Sequence, residues 1–553
     1  MAASRTEAVS SRQTWWLALA SSALMFAALP PVDLWPLAWI APVPWLILCR
    51  QETLAGRRPY RTLWIAGFVF WMAALHWIRL PHPANYIGWL ALATYLAFYI
   101  PVFVGVTRWA VHHWHWSLIV AAPVIWTGLE LARGHLLTGF TMASLGHTQY
   151  RWIELIQIAD FAGAYGVSFV VMCGAACVAR MLPVAGKRWT WWPAGVLGLL
   201  LLGVLGYGHW RLNHPAGAKG PRIALIQGST DTEIKSDPTK NQIVFQEYFD
   251  LSIQAVQSTK EIDLLIWPET MFRDPLIEFD PATVKPPPGA QWDVERLADV
   301  ADFTRTFIGD TARGLAVPLL LGIDFHRYGA GTVESYNSAL AVSPTGEVGA
   351  RYDKMHPVMF GEYIPFAKRF PILYRLLPIK SSLTAGTRDV IIPVGKSRLA
   401  VNICFESVLP HLVRGQVARL RARGEEPDAL VNLTNDGWFW GSSELDMHLI
   451  CGVFRAVENR KPLLIAANTG FSADIDSSGR IRQKGPRRAT DVLIADVILD
   501  GRRSPYSVVG DVFAGLCLLA TVVLGMSGLW RLLANRRVQR PVAVSSGREA
   551  QPS

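Results

Sequence analysis

The sequence predicts a bundle of membrane-spanning helices joined to an α/β domain. Three observations predict it. First, apolar segments close to the ~20 residues that cross a bilayer crowd the first two-fifths of the chain and recur once near its end. Second, from Pro221 the pattern changes to short apolar runs alternating with helical periods, the pattern of a layered α/β domain. Third, the 553 residues are 51% hydrophobic and only 17% charged, with 23 Trp. That is too long for one ordinary domain, and the composition fits a membrane protein with a polar portion.

Eight spans are expected, over Trp15–Pro30, Leu34–Leu48, Thr62–Ile78, Tyr86–Val106, Ser117–Leu131, Ala164–Ala179, Trp191–Tyr207 and Val508–Trp530. Arg5 and Arg12 ahead of the first resemble a signal peptide, but a second span follows at once and no small-residue cleavage site is evident. Basic residues fix the orientation. One alternating set of segments holds Arg5 and Arg12; Arg50, Arg57, Arg58 and Arg61; Arg108; Arg180, Lys187 and Arg188; and Arg531, Arg536, Arg537 and Arg540. The opposite loops hold Arg79, Arg133 and Arg151. Both termini are therefore expected on the cytoplasmic side. The expected organisation is a seven-span N-terminal bundle (1–212), an outer α/β domain (213–507), a C-terminal helix (508–533) and a polar tail (534–553). The net charge of +10 follows from this topology, so nucleic acid is not an expected partner.

Between the fifth and sixth spans lie Glu130 and Arg133, then Gly134-His135-Leu-Leu-Thr-Gly139-Phe140. Charges beside a span are costly, so an ion pair at i,i+3 or a contact with a lipid headgroup is expected. His112, His113 and His115 sit with Trp114 and Trp116, a pattern of interfacial anchoring. The six cysteines show no metal-type pair and no disulfide framework.

In the outer segment, strands are expected at Arg222–Gln227, Ile262–Trp267, Val317–Ile323, Ser338–Val342, Arg398–Ile403, Ala429–Leu433, Leu463–Ala467 and Val492–Val497. Helices are expected at Lys240–Gln257, Trp292–Arg313, Leu409–Arg423 and Ser443–Arg460, the last with a Ser443-x-x-Asp446 capping box.

Three residues stand at ends of apolar runs: Glu269 after Leu264-Leu-Ile-Trp-Pro, Lys354 in Arg351-Tyr-Asp-Lys, and Cys404 after Leu399-Ala-Val-Asn-Ile. Together they make a coherent device. A carboxylate generates the thiolate, and an ammonium with a backbone N–H stabilises the oxyanion of a tetrahedral intermediate.

Four motifs in order carry a resemblance: Trp267-Pro-Glu269, the Tyr352–Pro365 stretch with Gly361-Glu362-Tyr363, Asn402-x-Cys-Phe-Glu-Ser407, and Asn432-Leu-Thr-Asn-Asp-Gly-Trp-Phe439. The chain resembles the nitrilase-like carbon–nitrogen hydrolases. With its spans, and with Arg133–Phe140, Ser144–Gln149, Gly163–Phe169 and Arg455–Pro462, it is similar to the apolipoprotein N-acyltransferases of bacterial lipoprotein maturation. The resemblance implies an αββα sandwich and a triad of Glu269 as base, Lys354 as oxyanion partner and Cys404 as nucleophile. It implies support from Glu362, from the Phe405 N–H and from Glu406, with Asn337, Trp438 and Arg133 at the substrate pocket. It also implies residence in the bacterial inner membrane, with the catalytic domain on the periplasmic side. Relatives carry Lys-Trp-Asp-Pro where this chain has Lys235-Ser236-Asp237-Pro238, and Trp440 is a substitute for the absent Trp.

The expected reaction is ping-pong. Cys404 takes an acyl chain from a phospholipid as a thioester and passes it to the N-terminal amine of a diacylglyceryl-cysteine lipoprotein. No cofactor or metal is required, and a monomer is expected. Apolar Tyr363–Leu377 is expected to dip into the bilayer as a lid. The rival reading is a membrane-tethered amidase with water as acceptor.

Overall fold

The computed structural model describes residues 10–183, 188–214, 217–231, 238–259, 261–285, 293–367, 369–370, 372 and 382–538. Arg5, Lys187, Lys235, Ser236, Asp237, Trp292, Leu373, Tyr374, Leu376, Leu377, Arg540 and the tail Pro541–Ser553 lie outside the described residues.

Each expected span coincides with helix. The bundle holds α1 (Ser11–Ala27), α2 (Val43–Cys49), α3 (Pro59–Ala74), α4 (Asn85–Ala97), α5 (Tyr99–His113), α6 (Leu118–His135), α7 (Ile153–Ile156), α8 (Ala159–Met181) and α9 (Trp192–Leu212). Among the described residues, four stretches are long and apolar enough to cross a membrane: Asn85–His113, Ala159–Met181, Trp192–Leu212 and Val512–Ala534. The other expected spans fall short for physical reasons. Helices α1 and α3 have 17 and 16 residues, Trp35–Cys49 is a shorter apolar segment, and α6 carries Glu130, Arg133 and His135 near its end.

The outer domain is two six-stranded sheets packed face to face. The first holds β1 (Gly217–Gln227), β2 (Leu264–Phe279), β3 (Leu319–Tyr328), β4 (Val333–Val342) and β5 (Val348–Asp353). The second holds β6 (Ile391–Val394), β7 (Ser397–Ile403), β8 (Ala429–Thr434), β9 (Leu463–Ala467), β10 (Ala473–Ile475) and β11 (Ile481–Lys484). Strand β12 (Asp491–Asp500) returns to pair antiparallel with β1, giving the orders β12-β1-β2-β3-β4-β5 and β11-β10-β9-β8-β7-β6. In each sheet the central strands are parallel, β1-β2-β3 and β7-β8-β9. Both of their faces are covered, which is why they read as continuous apolar runs.

Leu225, Ile266, Val401, Leu433 and Leu464 fill the layer between the sheets. On the outer face of the first sheet lie α10 (Asn241–Ser258) and α11 (Val294–Leu315), packing Tyr248 and Ile308 against Trp267 and Leu321. On the second lie α12 (Pro410–Ala422) and α13 (Glu444–Asn459). Val413, Val453 and Val457 of that layer share one cluster with Ile156, Val167 and Val204 of the bundle. The sandwich therefore docks onto the membrane helices through its own helical layer. The chain ends with α14 (Pro505–Val509) and α15 (Val512–Val538). Helix α15 crosses α6 so closely that a Cβ on Gly128 would stand 2.8 Å from the Cys517 carbonyl oxygen.

A buried ion cluster fixes the junction. Asp160 of α8 lies 2.7 Å from Arg460 and 2.6 Å from Arg211, and Tyr207 donates to it at 2.7 Å. Arg455 and Glu458 pair at 2.8 Å, and Glu458 accepts from the Ala164 N–H at 2.9 Å. Asp160→Ala leaves two cations without their carboxylate, at an expected cost of about 3–5 kcal/mol. A thermal-shift measurement in detergent checks this, and an unchanged Tm refutes it.

Candidate active site

The catalytic candidates converge from both sheets, with Cys404 at the carboxyl end of a parallel strand, where α/β folds gather functional groups. Cys404 follows β7, Lys354 follows β5, and Glu269 lies within β2.

Glu269 departs from the strand-end position the sequence suggests. Strand β2 runs on to Phe279, and its register against β3 shifts between Trp267 and Phe272. Thr270 takes a φ of 54° there, so the bulge turns Glu269 inward. Gly322 on β3 allows it: a Cβ at that position would meet the Pro268 carbonyl oxygen at 2.0 Å.

Glu269 is 6% exposed and Lys354 1%. The Lys354 ammonium donates to Glu362 Oε1 at 2.7 Å and to Glu269 Oε1 at 3.3 Å. Burial by itself would push that ammonium down, but Glu362, Glu269 and Cys404 outweigh it and hold its pKa well above the ordinary lysine value. Asn337 Nδ2 donates to Glu269 Oε1 at 2.6 Å, and the Asn435 N–H donates to Oε2 at 2.9 Å. Asn337, expected at the substrate pocket, thus bonds Glu269 directly. Glu362 Oε2 accepts from the Val358 N–H at 2.8 Å, which ties the Met355–Glu362 loop to the site.

Cys404 is partly exposed, and its φ of 52° is left-handed, a strained setting for a residue with a Cβ. Burial pushes its thiol well above the ordinary value, Glu269 adds to the shift, and Lys354 opposes it. The resting side chain is therefore a neutral thiol near the Glu269 carboxyl group. Its carbonyl oxygen accepts from Asn432 Nδ2 at 3.1 Å and from the Ser407 hydroxyl at 3.1 Å. The Phe405 N–H falls in the first turn of the 3-10 helix Cys404–Val408, a position with no acceptor inside the helix. It is an open donor next to the thiol.

Glu406 is 3% exposed and spends both oxygens on structure. It accepts from the Tyr352 hydroxyl at 2.9 Å and from the N–H groups of Met355, His356 and Ile403 at 2.8, 3.0 and 2.7 Å. Burial raises its pKa, against the pull of those donors and of Lys354. Glu406 thereby joins the end of β7 to the loop that carries Lys354.

The bundle reaches this site directly. Phe405 and Phe439 pack on the same apolar cluster as α1–α6, and Phe439 meets Trp77 edge to face at 5.1 Å. Thr141 donates to the Val408 carbonyl at 2.5 Å, His356 contacts the Thr138 carbonyl at 3.2 Å, and His135 stacks on His411 at 4.2 Å. Glu130 and Arg133 bond other groups. Glu130 accepts from Trp126 Nε1 and the Leu145 N–H, while Arg133 donates to Ser144 at 2.6 Å beneath the Trp71 ring. At 5% exposed, Arg133 braces the 136–144 loop rather than facing the bilayer surface. Trp438 is 39% exposed, and Trp440 lies under the Arg488 guanidinium at 5.2 Å.

Sequence reasoning missed Asn432, Asn435, Asp436 and His448, which sit beneath Cys404 and Glu269. The Asn-rich end of β8 was the available signal. Asp436, Glu444 and His448 bring their polar atoms within 4.8 Å of one another. Both His448 ring nitrogens are engaged, one by Asp436 Oδ1 at 3.1 Å and the other by Ser407 Oγ at 2.9 Å.

Residues 21–177 match the model of the apolipoprotein N-acyltransferase N-terminal domain, and residues 222–504 match carbon-nitrogen hydrolase. An apolipoprotein N-acyltransferase of Geobacter metallireducens is 35% identical over 93% of this chain and 95% of its own. One from Rhodopirellula baltica is 30% identical over 92% of this chain and 96% of its own. Among solved structures, an amidase of the nitrilase superfamily from Nesterenkonia AN1 is 19% identical, covers 52% of this chain and 94% of that one, and has a TM-score of 0.35. The two family models in tandem and the near full-length identity make the chain a member of the apolipoprotein N-acyltransferase family.

Proposed function

We propose that this membrane acyltransferase takes its acyl chain from a phospholipid onto Cys404 and passes it to the N-terminal amine of a diacylglyceryl-cysteine lipoprotein. The observation that carries the reading is the place of Phe405. The residue after the nucleophile packs on the bundle core, so the thiol opens at the border of the lipid.

Glu269 removes the thiol proton as Cys404 attacks the ester carbonyl. Lys354 and the Phe405 N–H hold the oxyanion. The lysophospholipid alkoxide leaves with the proton from Glu269, and a thioester remains. The α-amine of the acceptor then attacks, Glu269 takes its proton, and the thiol is restored with the amide product. Glu362 keeps Lys354 in place, and Asn337 and Asn435 keep Glu269 in place.

A groove of about 600 Å³ between α3 and α4 supports a phospholipid donor. Phe68, Met72, Tyr86 and Trp89 give it apolar walls, and His76 and Arg79 stand at one end, matching an acyl chain and a phosphate. Phe360, Phe366, Phe370 and Ile372, on either side of Glu362 in the chain, are exposed, which supports an apolar segment that dips into the bilayer. The expected orientation has support as well. Arg50 donates to the carbonyls of Ala179 and Leu182, and Arg108 to those of Gln51 and Glu52, so the basic segments meet at one end of the bundle. We place that end in the cytoplasm and residues 213–507 in the periplasm, with eight membrane helices and a single chain as the working unit.

The test incubates the purified protein with acyl-labelled phospholipid and a synthetic diacylglyceryl lipopeptide. Label on the protein that is chased onto the lipopeptide amine is the expected result. Label released as free fatty acid at the same rate with or without lipopeptide favours the amidase. Glu269→Gln keeps the Asn337 contact but removes the base, and is expected to slow acylation by about 10²–10⁴-fold. A near-normal rate at neutral pH refutes that role.

A further inference from the structure

A buried histidine lies beneath Cys404 with acceptors on both sides of its ring. His448 Nε2 lies 3.3 Å from the Cys404 carbonyl oxygen and 2.9 Å from Ser407 Oγ. A carbonyl oxygen only accepts, and the Ser407 hydroxyl also lies 3.1 Å from it, so a proton on Nε2 lets the ring and the hydroxyl donate to the same oxygen. On the other side of the ring, Nδ1 faces Asp436 Oδ1 at 3.1 Å, an oxygen that already accepts from the Thr434 hydroxyl at 2.8 Å. A proton on Nδ1 suits that oxygen. With both nitrogens donating, the ring would be an imidazolium; it is 3% exposed. Burial opposes the charge, but Asp436, the Cys404 carbonyl and Glu269 outweigh it and raise the pKa above its ordinary value.

The charge has one target. The Cys404 carbonyl and the Phe405 N–H are two ends of a single peptide unit. Three donors on the oxygen draw electron density toward it and make the N–H a stronger donor, because hydrogen bonds in a chain polarise one another. That N–H is the oxyanion donor of the acylation step. We propose that His448, held as an imidazolium by Asp436, is a positioning residue that polarises the 404–405 peptide and keeps Cys404 in its left-handed backbone conformation. The proposal rests on the reading of Cys404 as nucleophile.

The titratable groups facing the ring are Asp436 from the turn after β8, Cys404 from the 3-10 helix, Glu269 from β2 beyond them, and Glu444 one turn earlier on its own helix. Burial and Asp436 hold the Glu444 carboxyl well above the ordinary range, and its Oε2 has no partner, so it stays neutral. The raised pKa keeps the imidazolium charged to a higher pH than an ordinary histidine, and the charge is lost as the pH rises through it.

The experiment uses the full chain in phospholipid nanodiscs and follows acyl-enzyme formation against pH. In His448→Gln a donor remains but charge and titration are gone. Acylation is expected to slow about 10- to 100-fold, with KM for the phospholipid within twofold and the alkaline fall of the wild-type profile absent. A variant with the wild-type rate and profile overturns the proposal. In the wild-type protein, ¹⁵N-histidine NMR provides a second reading that needs no variant. Two protonated ring nitrogens for His448 at pH 7 support the proposal, and a neutral tautomer overturns it. Stoichiometric metal on Asp436, Glu444 and His448 also overturns it, since a metal takes the Nδ1 lone pair. A wild-type protein that forms no acyl-enzyme sinks the underlying reading of Cys404 instead.

Discussion

Cys404→Ala is expected to leave no acyl label on the protein and to lower lipopeptide acylation by at least about 10⁴-fold, the scale seen when a covalent nucleophile is deleted. The size follows from what the site offers in place of the sulfur, which is nothing. Among the other cysteines, Cys49, Cys173, Cys177 and Cys517 belong to the bundle, and Cys451 is buried on α13 with its thiol pushed up to about 12 by burial. None faces Glu269 and Lys354. Without Cys404 the pair could still orient a water, but water gives free fatty acid rather than an amide. The variant should fold, because alanine adopts the same left-handed φ at a similar strain and removes only one partly exposed atom. The measurement is labelled phospholipid, a denaturing gel, and release of the label by hydroxylamine, which cleaves thioesters. Label that survives in Cys404→Ala refutes the assignment.

The sequence exposed the sandwich best where strands are buried on both faces. The runs at Ile262–Trp267, Ala429–Leu433 and Leu463–Ala467 are central parallel strands in which Asp263 and Asn432 are the polar residues. Strands β5, β6, β10 and β11 escaped notice because Val348–Asp353 carries charge, Ile391–Val394 has four residues including a proline, Ala473–Ile475 has only three residues, and Ile481–Lys484 is polar. Local spacing also misled where tertiary partners won. Ser443 makes no cap, because its own backbone is helical (φ −65°, ψ −9°), and Asp446 instead pairs with Arg487 at 2.6 Å. Glu130 and Arg133 sit at pairing distance along a helix yet each bonds the loop that follows. Glu269, Lys354 and Cys404 were legible because each adjoins an apolar run. His448 was not, since its partners Asp436 and Cys404 come from two other strand ends and meet it only in the folded chain.

Lys354→Met should be nearly as damaging as loss of the thiol, and for two separable reasons. The side chain is 1% exposed, and among the described residues its ammonium is the one cation within 3.3 Å of both Glu269 and Glu362. Methionine fills the volume but leaves two buried carboxylates facing one another, and like charges in such a site cannot both stay ionised. Stripping a buried ion cluster of its cation costs about 3–5 kcal/mol, so a large drop in Tm is expected. Acylation loses an oxyanion donor and the cation that pairs with Glu269, a fall of at least about 10³-fold. The double variant Lys354→Met/Glu362→Gln separates the two effects. It removes the second carboxylate and should recover most of the Tm, with Glu269 still held by its bonds from Asn337 and Asn435. Activity should stay low, because nothing replaces the ammonium at the oxyanion. A double variant that regains the wild-type acylation rate would show that Lys354 serves only to separate two carboxylates, and its role in the chemistry would have to be abandoned.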